Sequence, residues 1–169
     1  MRLTDGDKEI IMATKQGMSI RYHENDVRSV GRNATGVKGI TLNTDDEVIG
    51  MDVIGEDAEV LVVTSRGYGK KTKADDYRSQ SRGGKGIKTV NVTAKNGPVI
   101  GLKMVRSDND LMIITNAGVA IRIRVKDIST LGRNTQGVRL INVREGEEVA
   151  TVALAAQTEE DKEDTSEES

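Results

Sequence analysis

The chain has 169 residues, no cysteine, no Phe or Trp and three tyrosines, which excludes a disulfide framework and a thiolate metal site. No apolar run reaches the ~18 residues of a membrane-spanning helix, and no signal-peptide pattern opens the chain. We therefore expect a soluble, cytoplasmic protein with no membrane partner and a core of Val, Ile, Leu and Met.

Charge is distributed unevenly along the chain. Residues 158–169 hold seven acidic residues and one lysine, a net charge of −6. The whole chain has a net charge of −2, so residues 1–157 carry +4. Eight Lys or Arg and only two Asp lie between Arg66 and Lys88. Such segregated positive charge indicates a polyanion partner. The acidic segment has no apolar residue, which predicts a disordered tail over residues 158–169.

Three similar segments follow one another with a period of 50 or 51 residues. The repeats span about residues 7–55, 56–106 and 107–157, and together they form one predicted domain over residues 1–157. The landmarks that recur in each repeat are Glu9–Thr14, Glu59–Thr64 and Asp110–Thr115, then Gly17, Gly67 and Gly118, then Asp26, Asp76 and Asp127, and then Gly36, Gly86 and Gly137.

Each repeat has the pattern of about four β-strands. The opening run is β-branched and ends in a Thr-x-x-Gly turn, which is typical of a hairpin. The second strand is clearest in Val119–Val125, where apolar and basic residues alternate. Four strands in about 50 residues predict an all-β, propeller-like fold with about three blades. The third and fourth strands are predicted at residues 39–42 and 48–51, 89–92 and 99–102, and 139–143 and 149–152.

The repeat pattern also leads to predictions about the start of the chain and about self-association. Met1–Thr4 corresponds to Met51–Ile54, which predicts that the chain begins inside a repeat and is a piece of a longer parent. Three blades do not obviously close a ring, and open sheet edges pair with other strands. We therefore expect the chain to self-associate through open blade edges.

A glycine-rich basic loop occupies the same place in every repeat. Glycine lets a backbone approach a ligand closely. Arginine binds phosphate through bidentate hydrogen bonds from its planar guanidinium, and lysine adds a point charge. The scarcity of aromatic residues disfavours single-strand binding, which uses stacking platforms. The loops predict a track for the backbone of duplex DNA with little sequence preference. The candidate DNA-binding residues are Arg32, Lys38, Lys70, Lys71, Arg78, Gln80, Arg82, Gly83, Gly84, Lys85, Gly86, Lys88, Arg133 and Arg139.

Other chemistry is disfavoured by the sequence. A P-loop requires Gly-x4-Gly-Lys-Ser/Thr, but Gly86 follows Gly84-Lys85 and Ser79 stands at the leading position. The single histidine, His23, lies in a polar segment and is interpreted as a surface residue. We expect no catalytic residue, no metal site and no cofactor. Two alternatives to a DNA track stay open: a solvated loop whose glycines only make turns, and a protein-interaction propeller whose apolar edges bind a partner.

Three segments carry a resemblance to a known family: Gly36–Leu42, Tyr77–Gly86 and Thr135–Ile141. They are similar to the C-terminal domain of the bacterial DNA gyrase A subunit, over about residues 1–157, and an acidic tail is also typical of that family. The family's hallmark box reads Gln-Arg-Arg-Gly-Gly-Lys-Gly, which Gln80–Gly86 matches except at Ser81. The resemblance implies a β-pinwheel, of which this chain holds about the last three blades.

The resemblance also implies a function. The family's domain wraps double-stranded DNA around a basic rim, which lets the parent enzyme introduce negative supercoils. That parent is an ATP-dependent topoisomerase in which the gyrase A protein pairs with the gyrase B protein in an A2B2 assembly. The strand-cutting tyrosine and the ATPase belong to other parts of the enzyme, so this chain is expected to be non-catalytic. The related domain of topoisomerase IV is the alternative.

Overall fold

A computed structural model describes residues 2–156, which form eleven strands in three sheets. No helix among these residues has the length and apolar character needed to cross a membrane. The tail predicted over residues 158–169 lies outside the described residues. The strands are β1 (Glu9–Thr14), β2 (Met18–His23), β3 (Val48–Val53), β4 (Glu59–Thr64), β5 (Tyr68–Lys73), β6 (Ile87–Lys88), β7 (Val99–Val105), β8 (Asn109–Thr115), β9 (Ala120–Arg124), β10 (Val138–Arg139) and β11 (Val149–Ala156).

Each sheet is built on the hairpin of one repeat. β1 pairs with β2, β4 with β5 and β8 with β9, all antiparallel. Gly17 and Gly67 close the first two hairpins with φ of +86° and +80°, the left-handed conformation that glycine adopts without steric cost. The closing strand of the repeat, β3, β7 or β11, pairs with the other side of the first strand. The predicted all-β fold of repeated blades is confirmed.

The fourth strand of a sheet comes from the following repeat. β6 pairs with β2 and β10 pairs with β5, through two residues each. The prediction of an additional strand at residues 39–42 is wrong, and in the other repeats the strand lies just ahead of the predicted runs. These strands could not be located from the sequence, because two residues are too few to show an alternating pattern and the strand with which they pair lies in another repeat. The third sheet has three strands within residues 2–156, in the order β11-β8-β9.

The central sheet, in the order β10-β5-β4-β7, is buried on both faces. Successive side chains of a strand point to opposite faces. In β4, Val62 belongs to a core cluster with Ile11 of the first repeat, whereas Leu61 belongs to a cluster with Leu111 of the third. The three sheets therefore stack in chain order, with a separate apolar core at each junction.

Candidate nucleic-acid interface

The three glycine-rich basic loops are joined to one another through the segments that follow them. The N–H of Thr41 donates to the carbonyl of Gly84 (2.8 Å). At the next junction the N–H of Asn91 donates to the carbonyl of Thr135 (3.0 Å), which are the equivalent positions one repeat later. These contacts make the loops one continuous surface. We call this surface the basic strip and define it as residues 31–38, 82–88 and 133–139.

In the second and third repeats an arginine links the loop to the loop of the preceding repeat. The Arg82 guanidinium donates to the carbonyls of Asp26 (2.8 Å, from Nε) and Lys38 (3.1 Å, from Nη1). Arg133, its equivalent in the third repeat, donates from Nη1 to the carbonyl of Lys88 (3.0 Å). Each arginine uses only part of its N–H donors in these bonds. Arg82 and Arg133 thus hold the strip together and keep further donors for a ligand.

Most of the predicted cations lie on the surface of the strip or beside it. Their charged ends can reach a polyanion without any change in the backbone. Clustered, exposed Lys and Arg are the groups that displace counterions from a phosphate backbone, and phosphate contacts position a duplex without reading its sequence. The exposed cations are Arg32, Lys38, Arg78, Lys85, Lys88 and Arg139, and the half-buried ones are Arg82 and Arg133.

Lys70 and Lys71 lie inside the protein, against the expectation that they contact DNA. The side chain of Lys70 is fully buried, and its ammonium donates to the carbonyls of Gly132 and Arg133. Burial, helped by the Arg133 charge, lowers the pKa of Lys70 to about 8. Lys71 is 5% exposed, and its Nζ lies 3.0 Å from a carboxylate oxygen of Glu59. We therefore leave both lysines out of the basic strip.

The partner of Lys71 belongs to an ion pair that recurs in every repeat. Glu9 pairs with Arg21 and Glu59 with Lys71, and Asp110 pairs with Arg122 through Nε and a carboxylate oxygen 2.5 Å apart. The hydrogen bond from Arg21 is the main reason that the pKa of Glu9 is lowered. Acid and base have the same spacing along the sequence in all three repeats. This spacing is the signal that could have identified Lys71 as a structural cation.

The glycines of the middle loop serve packing as well as ligand access. A Cβ at Gly86 would overlap the carbonyl oxygen of Ser19, because the loop lies directly on β2. The N–H of Gly83 already donates to the carbonyl of Gly39, and the carbonyl of Gly84 accepts from the N–H of Thr41. Gln80 is half-buried, and its backbone N–H donates to the carbonyl of Arg21 (2.9 Å). Close contact between repeats therefore accounts for Gly86.

A cluster around Tyr68 was not predicted from the sequence. Arg139 donates from Nη2 to the hydroxyl of Tyr68 (2.8 Å), and the Arg139 guanidinium carbon lies 5.2 Å from the ring centroid. This hydrogen bond, with the charges of Arg139 and Lys95, lowers the pKa of Tyr68. Lys95 is exposed, and its Nζ lies 5.8 Å from the same ring. Lys95 therefore extends the basic surface beside Arg139, although it lies outside the glycine-rich loops.

His23 is part of a small polar network near the protein surface. Its Nδ1 accepts from the N–H of Asn25 (3.2 Å), so Nε2 carries the proton and lies 3.2 Å from a carboxylate oxygen of Asp7. Among residues 2–156 no group of three or more His, Cys, Asp or Glu side chains could hold a metal ion. His23 has the geometry of a surface residue that orders the turn around it.

Comparison with known families accounts for the three repeats. A family model described as "DNA gyrase C-terminal domain, beta-propeller" matches residues 8–54, 58–106 and 109–156. The chain belongs to the DNA gyrase C-terminal domain family. The matched segments carry the three hairpins and their closing strands, and all three loops of the basic strip fall within them.

Two curated relatives are gyrase A proteins. The chain is 66% identical to the DNA gyrase A protein of Halalkalibacterium halodurans over 153 residues, which cover 90% of this chain and 18% of that protein. It is 50% identical to the DNA gyrase A protein of Staphylococcus aureus over 171 aligned positions, which cover 100% of this chain and 19% of that protein. The chain thus spans about a fifth of the length of the curated relatives it matches.

Solved structures of DNA gyrase and topoisomerase IV domains share the fold. The C-terminal domain of DNA topoisomerase IV superposes with a TM-score of 0.86 at 25% identity, covering 99% of this chain and 53% of that one. A DNA gyrase A C-terminal domain superposes with a TM-score of 0.83 at 22% identity, covering 89% of this chain and 52% of that one. The three blades therefore correspond to about half of each solved domain.

Proposed function

We propose that this gyrase C-terminal domain binds duplex DNA along the basic strip, without sequence preference, and bends the duplex around the blade edges. The observation that carries the proposal is the continuity of the strip, because hydrogen bonds between repeats align three loops that each present exposed Lys or Arg. A duplex that follows such a strip meets positive charge in every repeat and curves with it.

The proposed role in the cell follows from the relatives. DNA wrapped by this domain supports the introduction of negative supercoils by a parent gyrase that pairs with the gyrase B protein in the bacterial cytoplasm. We propose that the domain takes no part in strand cleavage or ATP hydrolysis and needs no cofactor. Topoisomerase IV is the less favoured parent, because the curated relatives that are 50–66% identical to the chain are gyrase A proteins.

The test is a titration of a linear duplex of about 40 base pairs at a series of salt concentrations. We expect binding that weakens steeply with salt, with log affinity falling linearly against log salt by about 0.9 for each phosphate contact. Lys85→Ala and Lys88→Ala are the informative variants, since both side chains are exposed on the strip. Each is expected to lower the slope by about 0.9 and to weaken all sequences equally.

Arg106 provides the matched control. It is exposed and basic, but it follows β7, which forms the opposite sheet edge from the strip strand β10. Arg106→Ala is expected to leave both the affinity and the salt slope close to those of the parent chain. Undetectable binding at low salt, or an equal loss in all three variants, would contradict the proposed track.

A further inference from the structure

The two junctions between repeats have the same backbone framework. In each, a two-residue strand lies on the second strand of the preceding repeat, β6 on β2 and β10 on β5. The carbonyl of the preceding hairpin turn accepts an N–H from the residue after that strand, Gly17 from Thr89 and Gly67 from Leu140, both at 2.8 Å. A difference in ligand binding between the two junctions therefore comes from their side chains.

An aromatic ring with two cations is present at the second junction and has no counterpart at the first. Arg139 pairs in register with Tyr68, whereas Lys88 at the first junction pairs with Met18. The ring of Tyr68 is packed inside the junction, since the residue is 7% exposed. Arg139 and Lys95 both lie within 6 Å of its centroid. Two cations from different repeats thus converge on one ring.

Hydrogen bonds fix the direction of the Arg139 guanidinium. Its Nη2 donates to the Tyr68 hydroxyl (2.8 Å), and its Nη1 donates to Oδ1 of Asn142 (2.9 Å). A guanidinium has five N–H donors, so about three remain for an external acceptor. Because the Tyr68 oxygen accepts from Arg139, its own proton is available for a further acceptor. These donors are oriented before any ligand arrives, which lowers the cost of binding.

The turn that carries Lys95 is bonded to the third repeat's loop. Asn96 is fully buried, and its Nδ2 donates to the carbonyls of Asn91 (2.9 Å) and Gln136 (3.1 Å). Its Oδ1 accepts from the N–H of Thr93 (2.7 Å), which closes the turn. Gln136 belongs to the basic strip. Lys95 is therefore held beside the strip while its own side chain is exposed.

The corresponding turns of the other two repeats carry the opposite charge. Residues 43–47 hold three acidic residues and no base, a net charge of −3. Residues 144–148 hold three acidic residues and one arginine, a net charge of −2. Residues 93–97 hold Lys95 and no acid, a net charge of +1. A phosphate is attracted to the middle turn and repelled by the other two.

The cations at the second junction are not neutralised by acids. Arg66, in the turn before β5, is exposed, and its side chain lies beside the turn that carries Lys95. Among residues 2–156, Arg66, Lys95 and Arg139 form no ion pair. In the hairpin turn of the first repeat, by contrast, Nζ of Lys15 lies 2.8 Å from a carboxylate oxygen of Glu47.

We propose that Lys95 and Arg139, with Tyr68 as the residue that orients them, form a site for one backbone phosphate of duplex DNA, present at the second junction and not at the first. The inference rests on the proposed function, because the ligand is the duplex that follows the basic strip. It adds a point where the track extends beyond the glycine-rich loops. A phosphate held there fixes the position of the duplex on the repeats without reading a base.

The first test is the duplex titration across salt with Lys95→Ala, which removes one exposed charge. We expect the salt slope to fall by about 0.9, as for the loss of one phosphate contact. Arg106→Ala is the control for a charge on the opposite sheet edge, and Lys85→Ala reports on the strip. A lower slope for Lys85→Ala with none for Lys95→Ala would overturn the phosphate site and leave the proposed function standing. Undetectable binding of the parent chain at low salt would contradict both.

A second readout follows Tyr68 itself, since the chain has three tyrosines and no tryptophan. The hydrogen bond from Arg139 lowers the pKa of Tyr68, whereas burial raises the pKa of Tyr22 and of Tyr77. The first tyrosinate to form as pH rises is therefore that of Tyr68, and Tyr68→Phe checks the assignment. A bound phosphate places negative charge beside the phenol, which raises its pKa.

We expect saturating duplex at low salt to shift the first tyrosinate step to higher pH. Ultraviolet difference absorbance measures the shift, with Tyr68→Phe and the same duplex as the blank. Inorganic phosphate at equal ionic strength tests a free anion as the ligand. An unchanged titration of Tyr68 with the duplex bound, or a shift produced by inorganic phosphate alone, would overturn the assignment to a backbone phosphate.

Discussion

Single basic residues of this chain take opposite roles that depend on whether a neighbouring repeat covers them. Lys85 and Lys88 are exposed on the basic strip, whereas Lys70 donates to two carbonyls of the third repeat's loop from a fully buried position. Arg82 combines both roles, since it binds two carbonyls of the first repeat. Loss of Arg82 would therefore disturb the strip as well as remove a charge, which makes Lys85 and Lys88 the cleaner probes of DNA contact.

The buried ammonium of Lys70 makes a prediction about pH. Its pKa is about 8 in the folded chain and near 10.5 when unfolded, so between these values the unfolded chain binds more protons. The free energy of unfolding should then rise with pH in this window, by at most about 1.4 kcal/mol per pH unit from this group. Urea unfolding of the parent chain and of Lys70→Met at about pH 7.5, below this window, and at about pH 9.5, within it, measures the effect.

Lys70→Met lacks the titrating group. Subtracting its free energy of unfolding from that of the parent chain at each pH therefore cancels the contribution of the other titrating groups. The stability of the parent chain relative to Lys70→Met should be greater at the higher pH. An equal difference at both pH values would mean that the ammonium keeps its ordinary pKa in the folded state.

At the scale of elements, the central hairpin carries more of the stability than the sheet edges. Leu61 of β4 is fully buried between the second and third sheets, whereas Leu154 of β11 is 36% exposed. Leu61→Ala should lower the free energy of unfolding by about 2–5 kcal/mol, because it leaves a cavity in a close-packed core. Leu154→Ala should change it by roughly 0.5 kcal/mol or less. Urea unfolding monitored by circular dichroism measures both, and similar losses would contradict a core centred on β4.

The long elements could be predicted from the sequence, and the short ones could not. Glu59–Thr64 is β-branched, bounded by turns and repeated twice, so its strand follows from local pattern. Ile87–Lys88 becomes a strand only because β2 of the preceding repeat offers it hydrogen bonds. Lys70 and Lys71 looked like surface cations because alternation in a strand does not reveal a second buried face. Their burial follows from the stacking of sheets, which is a property of the whole array.

At the scale of the whole molecule, the repeats depend on their neighbours in chain order. The first two sheets each need residues of the following repeat, so neither of these repeats completes its own blade. Stability in such an array is a sum of terms within repeats and terms between adjacent repeats. Unfolding of one repeat should therefore expose the face of the neighbouring repeat that it covered.

The uneven charge of the whole chain gives a prediction about DNA affinity. Residues 158–169 carry −6, and the remaining residues carry +4. Removing this segment should raise DNA affinity at low salt, and the gain should shrink above roughly 0.15 M salt as charges are screened. The duplex titration described above measures it. A variant with the seven acids replaced by Gln or Asn is the control for length, and equal affinity of intact and shortened chains at low salt would contradict competition by the acidic segment.

The identical junctions have a consequence for how such arrays change during evolution. Each junction uses a two-residue strand, a turn carbonyl and a bridging arginine in the same register. A recombination event that duplicates or deletes one whole repeat leaves each remaining two-residue strand beside the second strand of the preceding repeat, whereas a change of any other length shifts this pairing out of register. A gain or loss of one whole repeat therefore keeps the shared register of the remaining junctions.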